Sequence, residues 1–268
     1  MVRSAIAHLA AGLALLWTGL PLPAEAQNDN EVDLALVIAV DISFSMDTDE
    51  QALQREGFAQ AFRSQQVHDA IRGGLLGKIA VTYMEWAGSL DQKVIIPWTV
   101  LDNSESLMAF ADKIASTPLR RAQRTSISSA VDFGVKLLEE SGIEAVRQVI
   151  DVSGDGPNNQ GRAIVQARDD AVAKGIIING LPIMMRQPGY LDIAELDVYY
   201  RDCVIGGQGA FTVPVRERDQ FVEAIKTKIL LEVASLMPEK PSLINRIQSA
   251  PTTNCLAGEM QWRDRWSN

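Results

Sequence analysis

The strongest constraint on the fold is an apolar run that ends in an acid and two hydroxyl residues. Residues 34–40 are all apolar, and Asp41, Ser43 and Ser45 follow at alternating positions. Such a run indicates a strand buried on both faces, as in a parallel sheet. Asp41 then lies at the strand's carboxyl end, where open α/β sheets bind ligands. Alternate residues of an extended chain share one side, so these three side chains predict a set of hard oxygen donors for a small cation.

The rest of the chain alternates predicted strands with amphipathic helices. Strands over residues 78–86 and 92–98 are joined by the short Gly88-Ser89 turn, so we expect them to pair antiparallel. Further strands are predicted over residues 147–152 and 176–181, with helices between them. This order predicts an α/β fold: a doubly wound, mostly parallel sheet with one antiparallel edge strand and right-handed crossovers.

The N-terminal segment has the pattern of a secretory signal peptide. Arg3 precedes an apolar stretch over residues 5–20, and Ala24-Glu25-Ala26 ends the segment with a small-x-small motif. A membrane anchor is the weaker interpretation because the apolar stretch is short and ends at Pro21. We therefore expect a protein that is periplasmic or secreted, with no stable membrane insertion after cleavage.

The predicted organisation has three parts. A signal peptide covers residues 1–26, the α/β domain covers residues 27–237, and an irregular C-terminal tail covers residues 238–268. The last long helix ends where Pro238 and Pro241 follow it.

Charge and cysteine content limit the partners. The formal net charge is −9 at pH 7, so nucleic acids and anionic membrane surfaces are poor candidates. Cys203 and Cys255 are the only two cysteines, and an even pair in an oxidising compartment favours one disulfide. With His68 as the only histidine after residue 26, a structural zinc site is excluded.

Two further loops reach the same predicted edge of the sheet. Thr125 precedes a predicted helix, at a position that alone indicates a helix cap. Asp155 lies in a glycine-rich loop directly after a strand, and Asp151 within that strand is a further carboxylate to which the residues assign no role. The edge can therefore gather five oxygen-donor residues: Asp41, Ser43, Ser45, Thr125 and Asp155.

Three motifs carry a resemblance to a known family. Asp41-x-Ser43-x-Ser45, Arg124-Thr125-Ser126-Ile127 and Ser153-Gly154-Asp155-Gly156 resemble the three loops that form the metal-ion-dependent adhesion site of von Willebrand factor A domains. The resemblance covers roughly residues 32–237, and within the superfamily the chain looks most like an uncharacterised bacterial group of exported A-like proteins. One departure is Ser153-Gly154, which stands where the family usually has Thr before the final Asp-Gly.

The resemblance implies a ligand set and a metal. Ser43, Ser45 and Thr125 would offer hydroxyl oxygens, and Asp41 and Asp155 would bind directly or through water. Mg²⁺ is the expected ion, with Mn²⁺ or Ca²⁺ as substitutes, because oxygen ligands separate these ions weakly.

The resemblance also implies a function. We expect a non-enzymatic, metal-dependent protein-binding module whose cation coordinates an Asp or Glu of a protein partner. Two alternatives stay open: a metal-assisted hydrolase that uses Asp41 or Asp155, and a structural domain with a vestigial site. Against the hydrolase, the sequence has no histidine cluster, and Ser43 occupies the position where an aspartyl phosphatase needs a second acid. Against the vestigial site, the set of five oxygen donors is complete.

Overall fold

A central β-sheet flanked by helices organises the chain. The computed structural model describes residues 30–186, 189, 193–234, 245–246 and 253–267. The predicted signal peptide, residues 1–26, lies outside the described residues.

The strands of the described residues form one sheet in the spatial order β3-β2-β1-β4-β5-β6-β7. They are β1 (Glu31–Asp41), β2 (Ile79–Trp86), β3 (Gln92–Leu101), β4 (Glu144–Gly154), β5 (Ile177–Pro182), β6 (Phe211–Thr212) and β7 (Asn245–Arg246).

Helices connect these strands and cover both faces of the sheet. They are α1 (Thr48–Arg63), α2 (Gln65–Arg72), α3 (Ser104–Ser116), α4 (Ile127–Glu139), α5 (Ile164–Ala173), α6 (Leu196–Tyr199), a π-helical turn (Tyr200–Val204), a 3₁₀ turn (Arg218–Gln220), α7 (Phe221–Ala234) and α8 (Ala257–Ser267). Within the described part of the chain, no helix has both the length and the apolar character needed to cross a membrane.

Strand β1 lies in the middle of the sheet, as its apolar run predicts. It pairs in parallel with β2 on one side and with β4 on the other. Strand β3 pairs antiparallel with β2 at the edge, so the predicted mixed sheet with an antiparallel edge strand is confirmed. The two-residue β7 adds a second antiparallel pairing at the opposite edge, against β6.

The side chains of β1 divide the core into two layers. Leu34, Leu36 and Ile38 pack on one face in a cluster that includes residues of α1, α3 and α7. Ala35, Val37 and Ala39 pack on the other face with residues of α4 and α5. Burial of each large aliphatic side chain contributes about 1.5–3 kcal/mol. Because both faces are covered, the polar end of β1 is fixed relative to the helices around it.

The C-terminal tail differs from the prediction. Residues 238–268 were expected to be irregular, but α8 occupies Ala257–Ser267. A disulfide between Cys203 and Cys255 ties the start of this segment to the domain, so the favoured pairing is present in the structure. Helix α8 has no continuous apolar stripe in its sequence, which is why periodicity gave no signal for it.

Candidate metal site at the carboxyl edge of the sheet

The loop after β1 is held at both ends by backbone hydrogen bonds and a helix cap. The Ile42 N–H donates to the Trp86 carbonyl at 2.9 Å, which continues the pairing of β1 with β2. The Asp47 side chain then caps α1 by accepting from the Glu50 N–H at 2.7 Å, and the Glu50 carboxylate accepts from the Asp47 N–H at 2.9 Å. This capping box fixes the direction in which the chain leaves the loop.

Within this loop, three of the predicted ligands form a chain of hydrogen bonds with Asp155. The Ser43 N–H donates to Asp41 Oδ1 at 2.6 Å, and the Ser43 and Ser45 hydroxyls lie 2.7 Å apart. Ser45 Oγ donates to Asp155 Oδ1 at 2.6 Å. The structure therefore brings the end of β1 and the loop after β4 into contact through serine hydroxyls. The serines lie in a turn, in which the Met46 N–H donates to the Ser43 carbonyl at 3.0 Å, and not in the extended backbone that the prediction from the alternating pattern requires.

Asp41 is completely buried and only partly satisfied. Its Oδ2 atom has no hydrogen-bond partner among the described residues. Burial raises the pKa of Asp41 well above its ordinary value, and the nearby Asp155 carboxylate raises that pKa further, although hydrogen bonds from Ser43 and from the Asp155 backbone oppose the shift. A buried carboxylate oxygen without a donor is unfavourable by itself, so this atom is suited to contact with a cation.

Gly154, which belongs to the Ser153-Gly154 departure from the family pattern, lies where a side chain would not fit. A Cβ added at this glycine would lie 2.8 Å from Asp41 Oδ2 and 2.9 Å from the Tyr200 hydroxyl oxygen. These distances are shorter than van der Waals contact, so only glycine fits without displacing its neighbours. With Gly154 in place, Asp155 still reaches Ser45.

Thr125 lies on the same cavity as Ser43 and Ser45. Its N–H donates to Asn159 Oδ1 at 3.0 Å, and its carbonyl accepts from the Asn159 N–H at 2.8 Å. The next residue, Ser126, caps α4 by accepting from the Ser129 N–H. The threonine is therefore tied to the loop after β4 and is not the helix cap itself.

Arg186 completes the polar surroundings of Asp155. Its guanidinium pairs with Asp155 Oδ2, and its Nε lies 3.3 Å from Glu50 Oε1. Arg186 also lines the cavity, which has a volume of about 410 Å³ and whose lining includes Phe44, Arg124 and Trp262. The candidate site is thus an open cavity lined by hydroxyl, guanidinium and aromatic groups. The two candidate carboxylates, Asp41 and Asp155, are buried and are not part of this lining.

The candidate donors are oxygen atoms and not imidazole or thiolate groups. Across the described ranges, no group of three or more His, Cys, Asp or Glu side chains could hold a metal ion. The candidate ligands are instead two carboxylates and three hydroxyls, which are hard oxygen donors suited to Mg²⁺, Mn²⁺ or Ca²⁺.

Asp151, which the sequence left without a role, lies away from this cavity. Its carboxylate is 2.7 Å from Lys228 Nζ on α7, and Lys228 Nζ also lies 2.8 Å from Glu232 Oε1. The Asn179 side-chain amide donates to the same Glu232 carboxylate. Asp151 therefore belongs to a buried charged cluster, formed by Asp151, Lys228, Glu232 and Asn179, on the α7 side of the sheet.

Sequence reasoning missed several residues around the cavity. Arg186 follows β5 in a loop without any recognisable motif, and Tyr200 belongs to a π-helical turn that no periodicity predicts. The cysteine pair could have indicated the position of Trp262, because a disulfide at Cys255 returns the C-terminal segment to the domain.

Comparison with known sequences places the chain in one family. The profile of the family described as "Protein of unknown function (DUF1194)" matches residues 31–237. A comparison with curated proteins gave no match.

Solved structures of similar fold come from several organisms. The pilus adhesin SpaC from Lactobacillus rhamnosus GG has a TM-score of 0.57 at 11% identity, over 77% of this chain and 31% of that chain. Proximal thread matrix protein 1 from the mussel byssus has a TM-score of 0.55 at 13% identity, over 75% of this chain and 49% of that chain. A von Willebrand factor type A structure from Catenulispora acidiphila has a TM-score of 0.51 at 11% identity, over 75% of this chain and 43% of that chain.

The match covers less than half of each of these solved chains. At such low identities the similarity establishes the fold alone: this chain has a von Willebrand A-like fold.

Proposed function

Because the chain belongs to the family described as "Protein of unknown function (DUF1194)", we propose a function from its site: an exported, non-enzymatic module that binds a protein partner through a divalent cation. The proposed ligands are the five residues predicted from the sequence: Asp41, Ser43, Ser45, Thr125 and Asp155. The observation that carries the proposal is the series of hydrogen bonds that joins Asp41, Ser43, Ser45 and Asp155 across two strand ends, through the Ser43 N–H and then through the two serine hydroxyls.

The chemistry of these residues fits a hard cation. Asp41 Oδ2 is buried without a partner, and the Asp155 carboxylate disfavours a second negative charge nearby. A divalent cation would relieve this repulsion, which makes its binding favourable. Neutral hydroxyls make up most of the donors, so a bound cation would keep enough positive charge to receive a partner's carboxylate.

Hydrogen bonds hold the candidate ligands in position. Ser43 and Ser45 hold their hydroxyls in register through the hydrogen bond between them, and Ser45 also orients Asp155. Asn159 accepts a hydrogen bond from the Thr125 N–H and donates one to the Thr125 carbonyl, so these two bonds fix the threonine backbone. Mg²⁺ is the proposed ion, with Mn²⁺ or Ca²⁺ as substitutes.

Export is proposed together with this function. The Cys203–Cys255 disulfide supports an oxidising compartment, because structural disulfides are rare in the cytosol. We propose cleavage of a signal peptide over residues 1–26, a binding domain over residues 27–237, and a periplasmic or secreted mature protein. The pilus adhesin of similar fold supports an extracytoplasmic binding role by analogy.

A thermal-shift titration tests the metal proposal. Mg²⁺ or Mn²⁺ should raise the melting temperature, by an amount that corresponds to about 2.7 kcal/mol at a hundredfold excess over Kd. Asp41→Asn should abolish this shift because it removes the buried carboxylate. Asp112→Asn is the matched control, since it makes the same charge change at a side chain that is 66% exposed and remote from the cavity.

Two outcomes would contradict the proposal. If no divalent cation changes the wild-type melting temperature, the site does not bind metal. If both variants lose the shift equally, the effect is general charge screening. Metal-dependent hydrolysis of a phosphoester panel, lost in Asp41→Asn, would instead establish the hydrolase.

A further inference from the structure

Helix α8 packs directly on the loop that follows β4. A Cβ added at Gly258 would lie 2.1 Å from the Asn158 carbonyl oxygen, so helix and loop are in close backbone contact. The Asn158 side-chain amide donates to Glu259 Oε1 at 2.8 Å, and the Asn158 N–H donates to the Tyr199 hydroxyl at 3.2 Å. The C-terminal helix is therefore seated beside the candidate metal site by specific contacts.

A disulfide fixes the start of this segment. Cys203 is buried in the π-helical turn, and its Cα lies 5.4 Å from that of Cys255. Cys255 is only two residues before α8, so the bond restricts where the helix can lie. Covalent attachment at one end and backbone contact at Gly258 together hold the helix against the domain.

Trp262 of α8 reaches the cavity and contacts Arg124. The Arg124 guanidinium carbon lies 3.8 Å from the centre of the Trp262 ring, a cation–π arrangement. Both residues line the cavity together with Thr125. Arg124 has a φ of 72°, a left-handed conformation that favours glycine. The chain keeps an arginine at a position where glycine has the better backbone, which points to a use for its side chain.

A second aromatic residue of the cavity lining, Phe44, also lies against an arginine. Phe44 is 53% exposed at the cavity, and the Arg121 guanidinium carbon lies 5.2 Å from the centre of its ring. Arg186 adds a further guanidinium to the lining. Three arginines therefore lie around one opening, although Arg186 is also paired with Asp155 and Glu50. Guanidinium groups are matched donors for a carboxylate, so together with the aromatic rings they are complementary to an acidic group that carries an apolar neighbour.

We propose that α8 turns the metal site into a cleft that admits one acidic peptide segment, in which an Asp or Glu stands next to an aromatic or aliphatic residue. The cavity of about 410 Å³ accommodates a few side chains and not a flat protein face. The carboxylate enters between Arg124 and Arg186 toward the hydroxyls, and the apolar neighbour packs on Trp262 or Phe44. This inference rests on the proposed function, since the cation is the group that receives the carboxylate.

Selection from a random linear peptide library displayed on phage, with Mg²⁺ or with EDTA, tests the cleft. Peptides enriched in Mg²⁺ should contain Asp or Glu beside an aromatic or aliphatic residue. Trp262→Ala should weaken the binding of an enriched peptide about tenfold or more, because it removes an aromatic anchor. Met260→Ala is the matched control, since this side chain is exposed on the same helix and does not line the cavity.

Arg124→Gly provides a second variant that separates binding from folding. Glycine suits the left-handed backbone, so the variant should fold at least as stably as the wild type while binding the peptide more weakly. Equal binding by Trp262→Ala, Arg124→Gly and wild type would overturn the proposal, as would enrichment of peptides without an acid or no enrichment. If the Mg²⁺ thermal shift persists in these cases, only the cleft is refuted; if the shift is absent, the metal site is refuted as well.

Discussion

Two aspartates near the end of one strand, Asp151 within β4 and Asp155 just after it, have opposite surroundings. Asp151 is buried against the Lys228 ammonium, which is in turn paired with Glu232. Asp155, whose side chain is only 3% exposed, accepts from Ser45 and pairs with Arg186, a side chain that is 45% exposed and lines the cavity. Both carboxylates lie in a polar network, but only Asp155 lies beside hydroxyls that line an open cavity.

This difference shows which property separates a binding site from a structural cluster. Burial raises the pKa of Asp151, as it does that of Asp41, so burial alone does not distinguish them. The distinction lies in the cation that the chain supplies: Lys228 pairs with Asp151 Oδ1 inside the core, although Asp151 Oδ2, like Asp41 Oδ2, has no hydrogen-bond partner among the described residues. Asp151 is neutralised inside the core by a buried lysine, whereas Asp155 is paired with a half-exposed arginine and bonded to a serine hydroxyl that lines the cavity.

Removal of the Lys228 ammonium group should have the largest effect on the free energy of unfolding. Lys228→Met leaves Asp151 and Glu232 buried without their positive partner, and breaking a buried pair in this way costs about 3–5 kcal/mol. The free energy of unfolding from urea titration measures the loss. The metal-induced increment in melting temperature should remain in whatever fraction stays folded, because the cluster lies away from the cavity.

Lys136→Met is the matched control for this variant. Lys136 is 62% exposed and lies 3.9 Å from Glu140, so its loss should change stability by less than about 1 kcal/mol. A loss of similar size in both variants would refute the structural role assigned to the Asp151–Lys228–Glu232 cluster.

A methyl group at Gly154 should have an intermediate effect on stability and a large one on the site. Gly154→Ala places a Cβ against Asp41 and the Tyr200 hydroxyl, and overpacking of this kind costs about 1–3 kcal/mol. Displacement of Asp41 should also reduce the metal-induced thermal shift. Gly156→Ala is the control, because a Cβ there meets nothing within 4 Å. Equal behaviour of the two variants would show that Gly154 does not position the site.

The smallest expected difference is in the pH dependence of the free energy of unfolding, compared between the wild type and Lys228→Met. Burial lowers the pKa of Lys228, but the Asp151 and Glu232 carboxylates outweigh it and raise the pKa above 10.5. A folded-state pKa above the unfolded one means that this stabilisation is fully present below pH 10.5 and is lost as the pH rises through the folded-state pKa.

Between pH 10.5 and the folded-state pKa, the unfolding free energy of the wild type should fall more steeply than that of Lys228→Met, by up to about 1.4 kcal/mol per pH unit. Buried Tyr83 and Tyr199, whose pKa values burial also raises, affect both proteins alike, so the difference isolates Lys228. Parallel alkaline slopes would contradict the assigned ion pairs.

Much of the fold could be predicted from local patterns. The apolar run of β1 and the short Gly88-Ser89 connection are sufficient for a parallel sheet with an antiparallel edge, because periodicity and turn length act over a few residues. The serine alternation after Asp41 predicts a shared side on extended backbone, whereas the structure brings the Ser43 and Ser45 hydroxyls into contact in a turn over residues 43–46.

Other features were not accessible in this way. Lys228 neutralises Asp151 from a helix far along the chain, and its position in an amphipathic pattern does not reveal which acid it meets. Helix α8 lacks a continuous apolar stripe and is held by a disulfide and by backbone contact at Gly258, so its place is a property of the assembled domain.

The sequence by itself determined the central strand, the alternation of strands and helices along the chain and the candidate oxygen donors, because these follow from side-chain type and spacing along a short stretch. Only the tertiary structure decided which carboxylate is neutralised internally, why position 154 has no room for a side chain, and that Trp262 borders the cavity. The physical reason is that burial, ion pairing and steric contact depend on groups that approach only after the chain has folded.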